Sequence, residues 1–209
     1  MGDAVEETTP IDGRRARRER GRLAVIDAML SLLQDGKVPV SAEMVAARAG
    51  VSVASVFRYF DGLDDLQVRT FERFRERFEP LLTVEAVGAT RADRIAAFVS
   101  SRLDLYEQAG AIMAVGRLRA LEHEPMVAAS AEMRALLAAQ VRSVFAPDGA
   151  GAGTTDLVAV IDALTSLESW DVMRKTHARS RRQIDAAWRR GITALIDAQH
   201  TRLDEGGNP

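Results

Sequence analysis

The chain has 209 residues, enough for one domain or two small ones, and 47% of them are apolar, enough for a real core. Its 28 basic and 30 acidic residues leave a net charge of −2, which argues against a nonspecific polyanion binder. No cysteine is present for a disulfide framework or thiol chemistry. No apolar run approaches the roughly 20 residues of a membrane span, and the acidic N-terminus lacks a signal-peptide core, so a cytoplasmic protein is expected.

The charge is unevenly spread. Residues 1–12 carry a net −4, residues 13–60 carry nine basic against four acidic side chains for a net +5, and residues 61–209 carry a net −3. A basic N-terminal module joined to an acidic remainder suggests that only the first part meets nucleic acid.

Residues 1–12 are polar and aperiodic and read as a disordered tail. Arg14, Arg15, Arg17, Arg18, Arg20 and Arg22 follow, interrupted by Glu19. They run into a helix in which Leu23, Ile26, Leu30 and Leu33 recur at helical spacing, ending near Asp35-Gly36. Arginines at a helix start oppose the macrodipole. Their placement favours a use such as phosphate contact, and Arg17 and Arg18 are the candidates.

Residues 41–60 read as a helix, a glycine turn and a second helix. Ser41 can cap the first, and Glu43 suits its positive end. Gly50 supplies the left-handed turn position. Ser52 caps the second helix, with Val56 and Phe60 on its buried side. Val53, Ala54, Ser55 and Arg58 then face outward, as a helix entering a DNA major groove requires. The competing reading is a plain αα-corner. Leu23, Ile26, Leu30, Val45, Ala46, Val56 and Phe60 would form the module's core. A fourth helix starts near Leu63, with Leu66, Phe71, Phe74, Phe78 and Leu81 as its stripe and Pro80 at a kink or end.

Gly50-Val51-Ser52, the run Ser55-Val56-Phe57-Arg58-Tyr59-Phe60 and Leu66 together resemble the TetR (tetracycline-repressor) family of bacterial transcription regulators, over about residues 20–66. The resemblance implies an all-α homodimer with an N-terminal three-helix helix-turn-helix module and a larger helical ligand-binding and dimerisation domain. It assigns Ser41 and Tyr59 to phosphates, and Ser52, Val53, Ala54 and Ser55 to the groove. Two positions depart from the family pattern. Phe57 stands where a tyrosine hydroxyl is usual, and Leu63 where a lysine is usual. Arg58 and the N-terminal arginines could compensate.

The remainder is read from pattern. Helices are expected over 92–109, ended by Gly110, then 111–121, 126–145, 155–176 and 180–203, with a break at Glu122-His123-Glu124-Pro125 and a glycine-rich loop over 147–153. Leu157, Ile161 and Leu164 on one late helix, with Ile184, Trp188, Gly191 and Leu195 on the other, form seams that suggest a four-helix dimer interface. The alternative is that both helices cover their own core.

Phe74, Tyr106, Met113 and Trp170 are candidates to line a cavity, against ordinary core packing. On the resemblance, that cavity lies among residues 66–145, closed by the helix bearing Trp170. Its lining would be mostly apolar, for a hydrophobic or aromatic effector. Arg102, Arg117 and His123 could meet a polar group. His123, His177 and His200 lack metal-ligand spacing, and no phosphate loop, nucleophile elbow or paired-carboxylate motif is present. No metal, cofactor or enzymatic activity is expected.

The expected organisation is a tail at 1–12, a DNA-binding domain at 13–62 and an effector-binding, dimerising domain at 63–205. The expected function is a repressor released from a palindromic operator by a small apolar or aromatic effector. The alternative is a small-molecule-binding or protein-interaction dimer with a degenerate DNA module.

Overall fold

A computed structural model describes residues 10–82, 90–121, 123–149 and 153–206. Most of these residues are helical, and there is no strand among them. The chain divides into two compact units, residues 1–76 and 77–209, with the division falling inside one helix.

The first unit contains α1 (Pro10–Gln34), α2 (Ala42–Ala49), α3 (Val53–Tyr59) and most of α4 (Leu63–Leu82). The arginine cluster lies within α1 and not ahead of it, so residues 10–12 of the expected tail are helical, while residues 1–9 lie outside the described residues. The core is wider than the sequence pattern suggested. Val25, Met29 and Leu32 join Ile26, Leu30, Val45, Ala46, Val56 and Phe60 in full burial, whereas Leu23 is 37% exposed and does not belong to it. The buried face of α1 is wide enough to take in Val25, Met29 and Leu32 beside Ile26, Leu30 and Leu33, and Leu23 lies at its edge.

The caps follow the sequence. Met44 N–H donates to Ser41 Oγ at 3.3 Å, and Ser55 N–H to Ser52 Oγ at 3.2 Å; a cap of this kind is worth about 1 kcal/mol. Between them Gly50 takes φ 67°, a conformation that glycine adopts without a Cβ clash. Arg48 fastens α2 to the end of α1, donating to Ser31 Oγ at 2.6 Å and Asp35 Oδ2 at 2.9 Å.

The second unit contains α5 (Arg91–Arg119), α6 (Glu124–Phe145), α7 (Gly153–Leu164), α8 (Leu167–Asp171), a five-residue π-helical turn (Val172–Thr176) and α9 (Arg181–Gly206). α5 starts on a reciprocal capping box: Asp93 N–H donates to Thr90 Oγ1 and Thr90 N–H to Asp93 Oδ2, each at 3.2 Å. Hydrogen bonds from Thr90 hold the Asp93 carboxyl below its ordinary pKa.

Gly110 does not end this helix. Ile95, Phe98, Val99 and Leu103 continue into Leu105, Ala109, Ile112 and Met113 as one buried stripe. That burial outweighs the roughly 1 kcal/mol that an interior glycine costs. The helix expected over 155–176 is instead broken. Thr165 N–H closes the last turn of α7 on the Ile161 carbonyl at 3.0 Å, and Tyr106 Oη donates to the Thr165 carbonyl at 2.8 Å. Ser166 is extended and caps α8, accepting from Ser169 N–H at 3.1 Å.

Four residues of the expected seams, Leu157, Ile161, Ile184 and Trp188, are buried within this chain. Leu164, Gly191 and Leu195 are half-buried. At Gly191 a Cβ would lie 2.9 Å from Leu164 Cδ2, so this glycine admits the close approach of α7 and α9 within one chain. Their alternation of apolar and small residues gave no way to tell an internal packing face from an external one.

Candidate nucleic-acid interface and ligand cleft

Arg14, Arg17 and Arg18 stand at i, i+3 and i+4 on α1 and therefore share a face. That face meets the C-terminal end of α3. Arg14, Arg17, Arg18, Arg58 and Tyr59 line one notch of about 510 Å³. Among the described residues none of the four guanidiniums has a carboxylate within ion-pair distance. Arg58 donates to Ser55 Oγ at 2.9 Å and lies 5.4 Å from the Tyr59 ring centroid. Ser55 Oγ is also 2.9 Å from Ser52 Oγ. The N-terminal turn of α3 is thus tied to the arginine at its other end.

Four like charges in one notch repel each other, and an anion placed among them relieves that repulsion. A planar guanidinium and a phenol are also suitable donors to phosphate oxygens. Beside the notch, Ala54 and Phe57 are exposed, Phe57 at 54%, and Val53 and Ser55 are half-exposed. Ser41 sits half-exposed at the start of α2, and Ser52 is exposed at the start of α3. Hydrogen bonding by Ser41 holds the Glu43 carboxyl below its ordinary pKa. The structure adds Arg14 to Arg17 and Arg18. Its position three residues before Arg17 was the signal, readable only once the arginines were known to be helical.

In the second unit an open cleft of about 740 Å³ lies between α5, α8, the π-helical turn and the start of α9. Of the four lining candidates, Tyr106 and Trp170 are part of it. Met113 is buried in the core and Phe74 is buried in the first unit; neither lines this cleft. The expected lining also needs correction, because most of it is charged or polar: Glu107, Asp171, Arg174, Lys175, Arg179 and Gln183. Helical periodicity could not reveal this. The lining comes from the irregular stretch 172–180, which the sequence presents as helix.

Tyr106, Trp170 and Trp188 form a triangle of rings with centroids 6.3–6.4 Å apart. Burial pushes the Tyr106 phenol above its ordinary pKa, against the opposing pull of Arg102. Arg102 is fully buried and far from free to meet a ligand. It donates from Nε to Gln140 Oε1 at 2.8 Å, from Nη1 to Tyr106 Oη at 3.1 Å, and from Nη2 to the Leu137 carbonyl at 2.6 Å. Gln140 Nε2 in turn donates to the Leu81 carbonyl at 3.2 Å, and Ser101 Oγ reaches the same oxygen at 2.6 Å. A continuous polar chain therefore joins the cleft floor to the last turn of α4. Arg117 is paired with Glu168 on α8.

No protein-family model and no curated protein matches this sequence. Solved structures do match it. A TetR-family transcriptional regulator from Streptomyces coelicolor superimposes with a TM-score of 0.74 at 19% identity, covering 90% of this chain and 86% of that one. The fold is that of TetR-family transcriptional regulators. A transcriptional regulator from Rhodococcus sp. RHA1 superimposes with a TM-score of 0.68 at 19% identity, over 87% of this chain and 96% of that one. The multidrug binding protein EbrR, solved with imidazole, matches with a TM-score of 0.54 at 21% identity, over 86% and 94% of the two chains. Among the described residues no helix of this TetR fold is long and apolar enough to cross a membrane. None of them forms a group of three or more His, Asp or Glu side chains placed to hold a metal.

Proposed function

We propose that this chain is a DNA-binding transcription regulator, and that a small molecule releases it from its operator. The observation that carries the proposal is the notch of Arg14, Arg17, Arg18, Arg58 and Tyr59 beside a capped helix-turn-helix. The notch grips backbone phosphate, which positions the module without reading sequence. Ser52, Val53, Ala54 and Ser55 then meet the major groove. Exposed Phe57 supplies an apolar contact of the kind that suits a thymine methyl. The departures at Phe57 and Leu63 are offset by arginines on α1.

The active form is a homodimer, whose two recognition helices enter grooves about 34–36 Å apart on a palindromic operator. Ala159, Val160 and Ala163 on α7, with Ala194 and Ala198 on α9, form the exposed small-residue face that pairs across the two-fold. Leu164, Gly191 and Leu195 border it. Ala163→Glu should yield monomers by native mass spectrometry.

The effector occupies the cleft floored by Tyr106 and Trp170. Its differential affinity for two positions of α4 shifts the population away from the DNA-competent state. The chain Tyr106–Arg102–Gln140–Leu81 carbonyl is the physical connection through which the cleft biases that helix. Fluorescence anisotropy against the promoter of the protein's own gene and neighbouring promoters tests the DNA reading. The expected outcome is nanomolar, steeply salt-dependent binding. No binding at any of them would leave a small-molecule or protein-binding dimer as the better account.

A further inference from the structure

The cleft beside Trp170 has a charge balance that an apolar effector leaves unused. Two acids line it, and both are already neutralised. Asp171 Oδ2 lies 2.8 Å from Lys175 Nζ, and Glu107 is held by Arg181, whose other arm reaches Asp104 at 2.8 Å. Arg174 and Arg179 also line the cleft, and among the described residues neither has a carboxylate within ion-pair distance. They are the two uncompensated cations of the site.

Their placement is built by unusual backbone. Residues 172–176 form a π-helical turn, and Ala178 adopts φ 50°, a conformation that an alanine rarely takes. Arg179 N–H closes this loop onto the Met173 carbonyl at 2.9 Å, and Arg174 Nη1 donates to the Arg179 carbonyl at 3.2 Å. The Arg174 guanidinium consequently lies 5.3 Å from the Trp170 ring centroid. Backbone cost concentrated in seven residues, with the result that Arg174 overhangs an aromatic floor and Arg179 lines the same cleft, is the pattern of a binding site.

We propose that this cleft takes a planar aromatic or conjugated ligand bearing a carboxylate or similar anionic group. The ring lies against Trp170 and Tyr106, and the anion is held by Arg174 and Arg179. The inference rests on the cleft's role as an effector site and narrows the effector from apolar to amphipathic and anionic. Guanidinium donors match a carboxylate's two oxygens, and the aromatic floor accepts a flat ring offset from the Trp170 indole.

The test is a matched pair of probes, naphthalene-2-carboxylate and naphthalene-2-carboxamide, titrated into the full chain by calorimetry and tryptophan fluorescence. The carboxylate is expected to bind about tenfold more tightly than the carboxamide, in keeping with the strength of charge-assisted hydrogen bonds. That preference is expected to vanish in R174Q/R179Q. Both side chains are exposed, so this variant should fold, and a melting temperature close to that of the parent chain checks it. Equal binding of the two probes, a preference that survives R174Q/R179Q, or no binding of the carboxylate would each overturn the proposal. Carboxylate binding that leaves operator affinity unchanged would uphold the site while removing its role as the effector switch.

Discussion

The phenol of Tyr59 packs against Gly21. A Cβ built on Gly21 would lie 2.5 Å from Tyr59 Oη and 3.0 Å from its Cζ. The missing side chain on α1 is what lets Tyr59 sit in the arginine notch. In Gly21→Ala, gain in helix propensity of about 1 kcal/mol opposes overpacking of about 1–3 kcal/mol. The clashing atoms are the outer end of a half-buried side chain, so Tyr59 moves and the fold stays. Melting temperature should change by only a few degrees, while operator affinity falls by about tenfold. Unaltered anisotropy titrations for Gly21→Ala would show that the phenol is not part of the grip.

Arg58 is poised between two roles. It touches Ser55 on the exposed side of α3 and lines the arginine notch. If it neutralises a phosphate, Arg58→Ala lowers the slope of log affinity against log salt by about 1 and weakens all sequences alike. A preserved slope with altered sequence preference would assign it to a base instead.

The buried Arg102 depends on its acceptors. Gln140→Leu removes the partner of Arg102 Nε and leaves a buried charge short of one hydrogen bond. A loss of about 2–4 kcal/mol is expected in urea denaturation. Arg102→Met in the same background should recover much of it, because a well-packed apolar pair often replaces a buried polar one without penalty. A double variant no more stable than Gln140→Leu alone would show that packing dominates at this point. The same Gln140→Leu change should reduce effector-driven release of DNA, read as a smaller ratio of affinities with and without ligand.

Tyr106 sets an alkaline limit. Its folded-state pKa is raised above 10.0, chiefly by burial. The folded state therefore holds its proton where the unfolded chain has released it. Its contribution to stability is complete below about pH 10 and declines as pH rises toward the folded value. Tyr106→Phe should lower stability at neutral pH by about 1–2 kcal/mol, through loss of the bonds to Thr165 and Arg102. It should also flatten the decline above pH 10. Parallel stability curves for the two proteins above that pH would contradict the assignment.

Local physics made residues 41–60 readable. Ser41, Gly50 and Ser52 carry caps and a turn whose requirements involve only neighbours along the chain, and each takes the expected geometry. The failures share one cause. Thr165-Ser166 could continue a helix, but the chain breaks there: Ser166 turns extended to cap α8, and Tyr106, 59 residues away, donates to the Thr165 carbonyl. Gly110 could end one, and did not because the buried stripe continues past it. Both outcomes depend on partners remote in sequence.

By itself, the amino-acid sequence determined the all-helical class, the helix-turn-helix and the separation of a basic module from an acidic body, since helical period, caps and charge are local properties. Tertiary structure alone decided which apolar residues of α7 and α9 face inward, because small and large residues at helical spacing serve an internal seam and an external one equally well. It also decided which charges remain unpaired. Arg14, Arg17, Arg18 and Arg58 converge without an ion-paired acid among the described residues, and Arg174, over Trp170, and Arg179 line the cleft in which Lys175 and Arg181 have taken the carboxylates. Charge compensation is a sum over neighbours in space, and the chain order of these residues does not contain it.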